Sequence, residues 1–216
     1  MIREMRAAIF DLDGVIVDTA KYHYLAWKRL ANDLGFDFTE TDNERLKGVS
    51  RTRSLEILLE MGGLTLDNAA KAKLAEQKNS WYVDYISHMN ESELLPGAAE
   101  YLQYIRAKDV KIALGSASKN APLILERIGI SSLFDAIVDG NKVSKAKPDP
   151  EVFLRAAEEL NTSPADCAVF EDAEAGIEAA HRAGMAAVGI GKANVLKGAD
   201  IVIPGLFALA IIVPGE

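Results

Sequence analysis

Residues 7–14 read AAIFDLDG, an apolar run that ends in two carboxylates, Asp11 and Asp13. In an extended chain residues i and i+2 lean to the same side, so these two charges would face one another. Like charges held that close raise a pKa unless a cation lies between them. The stretch therefore favours a divalent metal ion beside a carboxylate nucleophile, although a solvated turn fits the same residues.

Apolar and amphipathic segments alternate through the second half of the chain. The predicted strands are 111–114, 135–138, 168–170, 187–190 and 201–203, and the predicted helices are 98–107, 119–128, 150–160 and 173–183. Alternation of this kind indicates crossover connections and a mostly parallel sheet covered on both faces. Asp149 is expected to cap the third of these helices, with Pro150 in its first turn.

Residues 16–92 carry no convincing strand pattern. Apolar residues recur there at helical spacing in three segments, which are 20–34, 51–61 and 67–88. We therefore expect an α/β fold in which a Rossmann-like, mostly parallel sheet is formed by residues 1–15 and 93–216. An all-helical domain over residues 16–92 interrupts it.

Composition narrows the possible partners and compartment. The net charge of the 216 residues is −8, which argues against nucleic acid, since phosphate backbones need a basic face. The single cysteine, Cys167, excludes an internal disulfide, suits a reducing cytosol and is expected in the core. We see neither a signal peptide nor an apolar run long enough for a membrane, and expect a cytoplasmic monomer. The apolar stretch Leu206–Val213 predicts a last core strand or a docking segment.

Polar residues follow the predicted strands at the edge where open parallel sheets bind ligands. They are Ser116 and Ser118 after the predicted strand 111–114, Lys147 before the helix at residue 150, and Glu171 and Asp172 after the predicted strand 168–170. Acids, hydroxyls and a lysine at one edge suit Mg²⁺-dependent phosphoryl transfer, in which a carboxylate attacks phosphorus. Taken singly, Ser118 also fits a helix cap and Lys147 a solvated surface charge.

The order DxDG, Ser, Lys and Glu-Asp resembles the haloacid dehalogenase superfamily, and the helical insertion is similar to its α-helical cap. The resemblance implies that Asp11 is the nucleophile and Asp13 the general acid and base of phosphatases and mutases. An aspartate at position 13 argues against the dehalogenase branch. The resemblance also implies catalytic roles for Ser116 and Lys147. The ligands that it implies for Mg²⁺ are Asp11, Asp13, Glu171 and Asp172.

Longer segments are similar to the β-phosphoglucomutase family, which interconverts β-glucose 1-phosphate and glucose 6-phosphate through a bisphosphate. The similar segments are FDLDGVIVDTAKYHYLAWKRLA (10–31), LKGVSRTRSLEILL (46–59), IALGSASKN (112–120) and KPDPEVF (147–153). The resemblance implies a small phosphorylated sugar as substrate. The substrate-binding residues that it implies are Thr19, His23, Trp27, Lys47, Gly48, Val49, Ser50, Arg51, Ser54, Lys78, Ala117, Ser118, Lys119 and Asn120.

Simpler explanations exist for some of these positions. They are a surface location for His23, solvated charges for Lys47 and Arg51, packing for Trp27, and the frequency of lysine along its helix for Lys78. For the whole protein, a sugar-phosphate phosphatase with water as the final acceptor is an alternative. A non-catalytic phosphate-binding protein is a second, although the intact Asp11 and Asp13 speak against it. The segment after Gly191 resembles the family least, so no role is carried to it.

Overall fold

The computed structural model describes residues 5–46 and 50–210, which divide into two compact units. We call the residues up to Asp18 and from Met89 onwards the sheet unit, and Thr19–His88 the helical unit. The boundaries therefore lie after residues 18 and 88, where the sequence predicts them after residues 15 and 92. In the described ranges no helix is long and apolar enough to cross a bilayer.

Four helices make up the described part of the helical unit. They are α1 (Ala20–Asp33), α2 (Glu40–Glu44), α3 (Arg51–Met61) and α4 (Asn68–Ser87). Sequence spacing predicts three of them but misses α2, because its residues ETDNE carry no apolar periodicity. A capping box starts this short helix: the Thr39 hydroxyl accepts from the Asp42 N–H at 3.3 Å, and the Asp42 carboxylate accepts from the Thr39 N–H at 2.9 Å.

The helices of this unit pack around their own apolar core. Trp27 on α1, Phe38 before α2, and Leu55 and Leu58 on α3 are all at most 3% exposed. Burial of large apolar side chains contributes on the order of 1.5–3 kcal/mol each, so this cluster is a main source of the unit's stability. Trp27 packs in this core, and Lys78 Nζ lies over its ring.

Six parallel strands form the sheet unit, in the order β3-β2-β1-β4-β5-β6. They are β1 (Ala7–Phe10), β2 (Lys111–Gly115), β3 (Ala136–Val138), β4 (Cys167–Glu171), β5 (Ala186–Ile190) and β6 (Ile201–Ile203). Phe10 at the end of β1 is paired with Leu114 on one side and Phe170 on the other. The predicted Rossmann-like parallel fold is confirmed, and the carboxyl ends of β1, β2 and β4 lie side by side.

The central strands are buried on both faces. Every residue of β1 is 0% exposed, and the Phe10 ring stacks on Phe170 with centroids 4.5 Å apart. Cys167 at the start of β4 is 2% exposed, and its thiol donates to the Ser163 carbonyl. Burial raises the pKa of this thiol to about 11. Cys167 is therefore a core residue, as expected.

The helices of the sheet unit follow the predicted pattern until the last one. They are α5 (Ala98–Arg106), α6 (Ala121–Arg127), α7 (Glu151–Glu159), α8 (Glu174–Arg182) and α9 (Phe207–Ala210). Helix α7 begins one residue later than predicted, but Pro150 already has helical dihedrals and the Asp149 carboxylate accepts from the Glu151 N–H at 3.1 Å. The N-cap is therefore Pro150, and the expectation of a cap at Asp149 is wrong: its carboxylate holds the turn that precedes the helix.

The expectation of a last core strand within Leu206–Val213 is wrong. Residues 207–210 form α9, and residues 211–213 lie outside the described residues. A Cβ built on Gly97, at the start of α5, would overlap the Phe207 backbone. Because α9 approaches α5 this closely, it is the docking alternative that fits.

Candidate active site

Three acidic side chains and one lysine meet at the carboxyl ends of β1 and β4. Asp11 directly follows β1, and its N–H continues the sheet by donating to the Phe170 carbonyl at 2.9 Å. Lys147, from the loop before α7, donates from Nζ to Asp11 Oδ1 at 2.6 Å and to Glu171 Oε2 at 2.8 Å. The structure thus brings together Asp11, Lys147, Glu171 and the neighbouring Asp172.

Lys147 is a buried cation. Its side chain is 13% exposed and its Nζ lies 4.8 Å from the centre of the Phe153 ring. Burial opposes the charge, but the carboxylates of Asp11 and Glu171 outweigh that effect and raise the pKa of Lys147. The alternative of a solvated surface charge is therefore wrong.

The acidic side chains carry more negative charge than one lysine can balance. Asp11, Glu171 and Asp172 each offer a carboxylate oxygen, and these oxygens lie within 4.8 Å of one another. Desolvation, followed by the charge of Asp11, raises the pKa of both Glu171 and Asp172, although Lys147 partly offsets this. A divalent cation would relieve this repulsion, and an all-oxygen donor set is the kind that Mg²⁺ prefers. The residues present therefore fit a magnesium ion.

The turn after β1 brings backbone close to this cluster. Asp13 is half-buried and forms a bridge with Val17, whose carbonyl accepts from the Gly14 N–H at 2.7 Å. Gly14 has a φ of +76°, and a Cβ at this position would overlap the Asp172 carboxylate. Only glycine meets both conditions without strain, so the close approach of the turn to Asp172 depends on it.

The Ser116–Asn120 loop follows β2 at the same edge of the sheet. Ser116 is 2% exposed and its N–H donates to the Val138 carbonyl at 3.0 Å. Its Oγ accepts from the Ser118 N–H at 3.1 Å, and the Ser118 Oγ accepts from the Asn120 N–H at 3.3 Å. Helix α6 starts only at Ala121, so the helix-cap interpretation of Ser118 is wrong. The two hydroxyls instead hold the turn that precedes the helix.

A second cluster of predicted residues lies inside the helical unit. Lys78 is 2% exposed, and its Nζ lies 2.8 Å from His23 Nδ1 and 4.5 Å from the centre of the Trp27 ring. The His23 ring stacks on Tyr82 with centroids 4.0 Å apart, and the Tyr82 hydroxyl donates to Thr19 Oγ1 at 3.2 Å. His23 is therefore not a surface histidine, and Lys78 differs from the other lysines of α4.

Burial and neighbouring cations lower the pKa values of Lys78 and His23 in this second cluster. Burial, and then repulsion by Arg51, lowers the pKa of Lys78 to about 7. Burial, followed by Lys78 and Arg51, lowers the pKa of His23 well below 6.5, so the imidazole is neutral at pH 7. A charged Lys78 has only donors, so His23 Nδ1 then accepts and the ring proton lies on Nε2. A buried amine that gains a proton near neutrality suits an anionic ligand.

The remaining predicted positions of the helical unit lie around α3. Ser50 precedes this helix and its Oγ accepts from the Arg53 N–H at 3.4 Å, whereas Ser54 is buried on the helix itself. Arg51 is half-buried, and burial lowers the pKa of its guanidinium. Lys47, Gly48 and Val49 lie outside the described residues.

The profile of the haloacid dehalogenase-like hydrolase family matches residues 5–184 of this sequence. The chain belongs to the haloacid dehalogenase-like hydrolase family. The residues of this chain that resemble the family motifs, Asp11, Lys147, Glu171 and Asp172, come together at the strand ends.

Two relatives within the family differ in their activity. The β-phosphoglucomutase of Bacillus subtilis is 50% identical over 92% of this chain and 89% of its own length. A phosphorylated carbohydrates phosphatase of Thermotoga maritima is 36% identical over 84% and 82%. The crystal structure of a β-phosphoglucomutase from Clostridium difficile superposes with a TM-score of 0.88 at 44% identity, over 95% of this chain and 93% of that one. The chain is thus a homologue of β-phosphoglucomutases, a group of isomerising phosphotransferases.

Sequence reasoning misses several residues that the structure places beside these family positions. Tyr82 carries no signal, because a tyrosine on an amphipathic helix is most simply explained by packing. Asp139 and Asn141, after β3, contact the Ser116–Asn120 loop or each other. Asp139 could have been found, since it is an acid at a strand end just as Asp11 is.

Proposed function

We propose that this protein interconverts β-D-glucose 1-phosphate and glucose 6-phosphate through phosphorylated Asp11 and a bisphosphate intermediate. The observation that carries the proposal is the bridge from Lys147 to Asp11 and Glu171 beside Asp172. A buried carboxylate held by a fixed cation is a suitable nucleophile for phosphorus. The 50% identity to a β-phosphoglucomutase supports the sugar substrate and the mutase outcome.

In the first half of the proposed reaction, phosphorylated Asp11 gives its phosphoryl group to the C6 hydroxyl of β-glucose 1-phosphate. Asp13 takes the hydroxyl proton as the new P–O bond forms and the bond to Asp11 breaks. In the second half, Asp11 takes the phosphoryl group from C1, and Asp13 returns its proton to the departing sugar oxygen. Proton transfer by a positioned carboxyl contributes on the order of 10²–10⁴-fold.

Lys147 and the Ser116–Asn120 loop stabilise charge on the transferring group. Lys147 stays protonated because its two carboxylate partners hold it so, and it can face the oxygens that surround phosphorus. The Ser116 hydroxyl is a proposed donor on the other side, together with the loop N–H groups other than those of Ser118 and Asn120, which donate to loop hydroxyls. A bound Mg²⁺ would neutralise phosphoryl charge. Its proposed ligands are Asp11, the carbonyl of Asp13, Glu171 and Asp172.

The helical unit is proposed to be the cap that binds the sugar and its distal phosphate. Lys78, with its pKa of about 7, would be charged once an anion is bound. The proposed cap ligands are Thr19, His23, Trp27, Lys47, Gly48, Val49, Ser50, Arg51, Ser54 and Lys78. In the sheet unit, the proposed catalytic core, Ala117, Ser118, Lys119 and Asn120 would hold the transferring phosphate. We further propose a cytoplasmic monomer, which sedimentation analysis of the purified protein tests.

The test is incubation with β-glucose 1-phosphate, Mg²⁺ and a trace of glucose 1,6-bisphosphate, with glucose 6-phosphate and released phosphate both measured. We expect glucose 6-phosphate to dominate. Lys147→Ala should lower kcat by on the order of 10²–10³-fold, because it removes a preorganised charge. Lys145→Ala is the matched control, because its side chain is 68% exposed and its ion pair is with Asp149 at 3.4 Å, away from Asp11 and Glu171. It should change kcat by less than about twofold.

Two outcomes would contradict the mutase proposal. Release of phosphate in place of glucose 6-phosphate would identify a sugar-phosphate phosphatase, the second candidate, which the 36% identity to such an enzyme favours. Accumulation of phosphorylated Asp11 without turnover would identify a non-catalytic phosphate-binding protein. Equal activity of the two lysine variants would remove the role of the bridge.

A further inference from the structure

The segment after β3 lies directly against the Ser116–Asn120 loop. The two are joined by hydrogen bonds from one backbone to the other: Ser116 N–H donates to the Val138 carbonyl at 3.0 Å, and Gly140 N–H donates to the Ser118 carbonyl at 3.2 Å. A third bond comes from a side chain, since Asn141 Nδ2 donates to the Lys119 carbonyl at 3.0 Å. We call residues 139–141 the β3 turn.

Asp139 holds the β3 turn in shape. It is 6% exposed, and its carboxylate accepts from the Asn141 N–H at 2.9 Å and from Asn141 Nδ2 at 2.9 Å. A side-chain amide has two N–H donors, and here one is given to Asp139 and the other to Lys119. The carboxylate therefore fixes the direction in which Asn141 presents its second donor to the loop.

Gly140 sets the distance between the two segments. A Cβ at this position would overlap the Ala117 carbonyl oxygen and come within 3.0 Å of its carbon. The overlap is with backbone, so a side-chain movement could not relieve it. The absence of a side chain thus allows the β3 turn to lie against the Ser116–Asn120 loop.

These contacts orient the peptide groups of the loop. In a trans peptide the C=O and the following N–H point in opposite directions. Because the carbonyls of Ser118 and Lys119 bond to the β3 turn, the N–H groups that follow them point away from it. The Asn120 N–H donates to Ser118 Oγ, so the Lys119 N–H is the one that the loop can offer to phosphate. Asp139 itself is not part of the carboxylate group that could hold a metal among the described residues. Its contacts to the Ser116–Asn120 loop run through Asn141 and Gly140, so we take any effect on phosphate to pass through the loop.

We propose that Asp139 is a positioning residue, which acts through Asn141 and Gly140 to hold the Ser116–Asn120 loop in its phosphate-binding geometry. This inference rests on the proposed function only in taking the loop as a phosphate site. It adds residues outside that loop as determinants of phosphoryl affinity and transfer. A misplacement of about 1 Å can cost on the order of 10²-fold in rate, so the loss of this support should be measurable.

The experiment compares Asp139→Asn with Asp135→Asn. Asp135 is the matched control because its carboxylate accepts from the Ile112 N–H at 2.8 Å, just before the opposite end of β3. The probe is inorganic phosphate with Mg²⁺, and its dissociation constant is measured by titration calorimetry. Asparagine at position 139 can accept only one of these two bonds from Asn141, and its NH₂ group faces the other donor. We therefore expect phosphate affinity and kcat to fall by about tenfold or more in Asp139→Asn, with little change in Asp135→Asn.

Two further variants make the outcome decisive. Asn141→Ala removes the bond to Lys119 and should weaken phosphate binding, and its combination with Asp139→Asn should be no worse than Asp139→Asn alone. Equal losses in the position 135 and 139 variants would overturn the proposal, as would additive losses in the double variant. If Asp139→Asn does not fold, unchanged phosphate affinity in Asn141→Ala overturns it. Phosphate binding does not depend on the acceptor, so failure of the mutase assay with the wild-type protein is a separate result.

Discussion

Gly14 constrains the position of Asp172, one of the carboxylates that could hold a metal ion. Its φ of +76° and the overlap that any Cβ would make with the Asp172 carboxylate are two independent demands for glycine. Gly35 meets only the first demand, since it has a φ of +90° and nothing within 4 Å of a built Cβ. Alanine variants at these two positions therefore distinguish the effect of backbone strain from the effect of displacing the Asp172 carboxylate.

Gly14→Ala should weaken Mg²⁺ activation, because the new methyl group pushes Asp172 away from Asp11 and Glu171. We expect the Mg²⁺ concentration for half-maximal activity to rise by at least about tenfold, on top of a loss of about 1–2 kcal/mol from left-handed strain. Gly35→Ala should lose a similar free energy of unfolding without any change in Mg²⁺ dependence. Titration of activity with Mg²⁺ decides, and parallel shifts in the two variants would contradict the prediction.

Helix α4 carries a buried lysine, Lys78, whose titration should make the free energy of unfolding depend on pH. The pKa of Lys78 falls from 10.5 to about 7 in the folded protein. Between these values the unfolded chain binds more protons than the folded one, so stability rises with pH. Below pH 7 the amine is charged in both states and the full cost of burying that charge is present.

The free energy of unfolding should therefore rise by about 1–2 kcal/mol between pH 7 and pH 9 through Lys78. Lys78→Met, which keeps the length of the side chain, should remove this rise. Lys73→Met is the matched control, because Lys73 is an exposed lysine on the same helix and its loss should leave the rise intact. Urea unfolding at the two pH values measures the effect, and an identical pH dependence in all three proteins would refute it.

The sequence predicts those helices and strands that follow from hydrophobic periodicity, and those contacts that follow from the order of the strands. The six strands follow from short apolar runs, and the meeting of Asp11 with Glu171 follows because neighbouring parallel strands end together. Helix α2 is missed because a capping box, and not an apolar face, starts it. The contact between His23 and Lys78, 55 residues apart, depends on how α1 packs on α4. The sequence does not reveal the β3 turn, because Asn141 lies in a loop and no periodic pattern marks its side-chain contacts.

In the sheet unit, repulsion among the carboxylates of Asp11, Glu171 and Asp172 lowers the free energy of unfolding, and a bound cation would remove this repulsion. Saturating Mg²⁺ should raise the thermal midpoint, because an ion that binds only the folded state stabilises it by about 2.7 kcal/mol at a hundred times its Kd. For a chain of this size that corresponds to roughly 5–10 °C. Scanning calorimetry with and without Mg²⁺ measures the shift. Asp172→Asn, which lacks one ligand, should show a much smaller shift, and an equal shift would contradict the assignment of the site.

The strand order has a consequence for synthesis on the ribosome. β1 is the earliest strand of the described chain, yet it is paired with β2 and β4, which end at residues 115 and 171. Thr19–His88 is contiguous and can fold as soon as it emerges. A nascent polypeptide arrested before β4 would hold a folded helical unit and, in the unfinished sheet unit, a β1 edge without its second neighbour. Such a fragment would expose unpaired backbone that favours aggregation. Asp11 is therefore translated early, and the carboxylate cluster around it forms late.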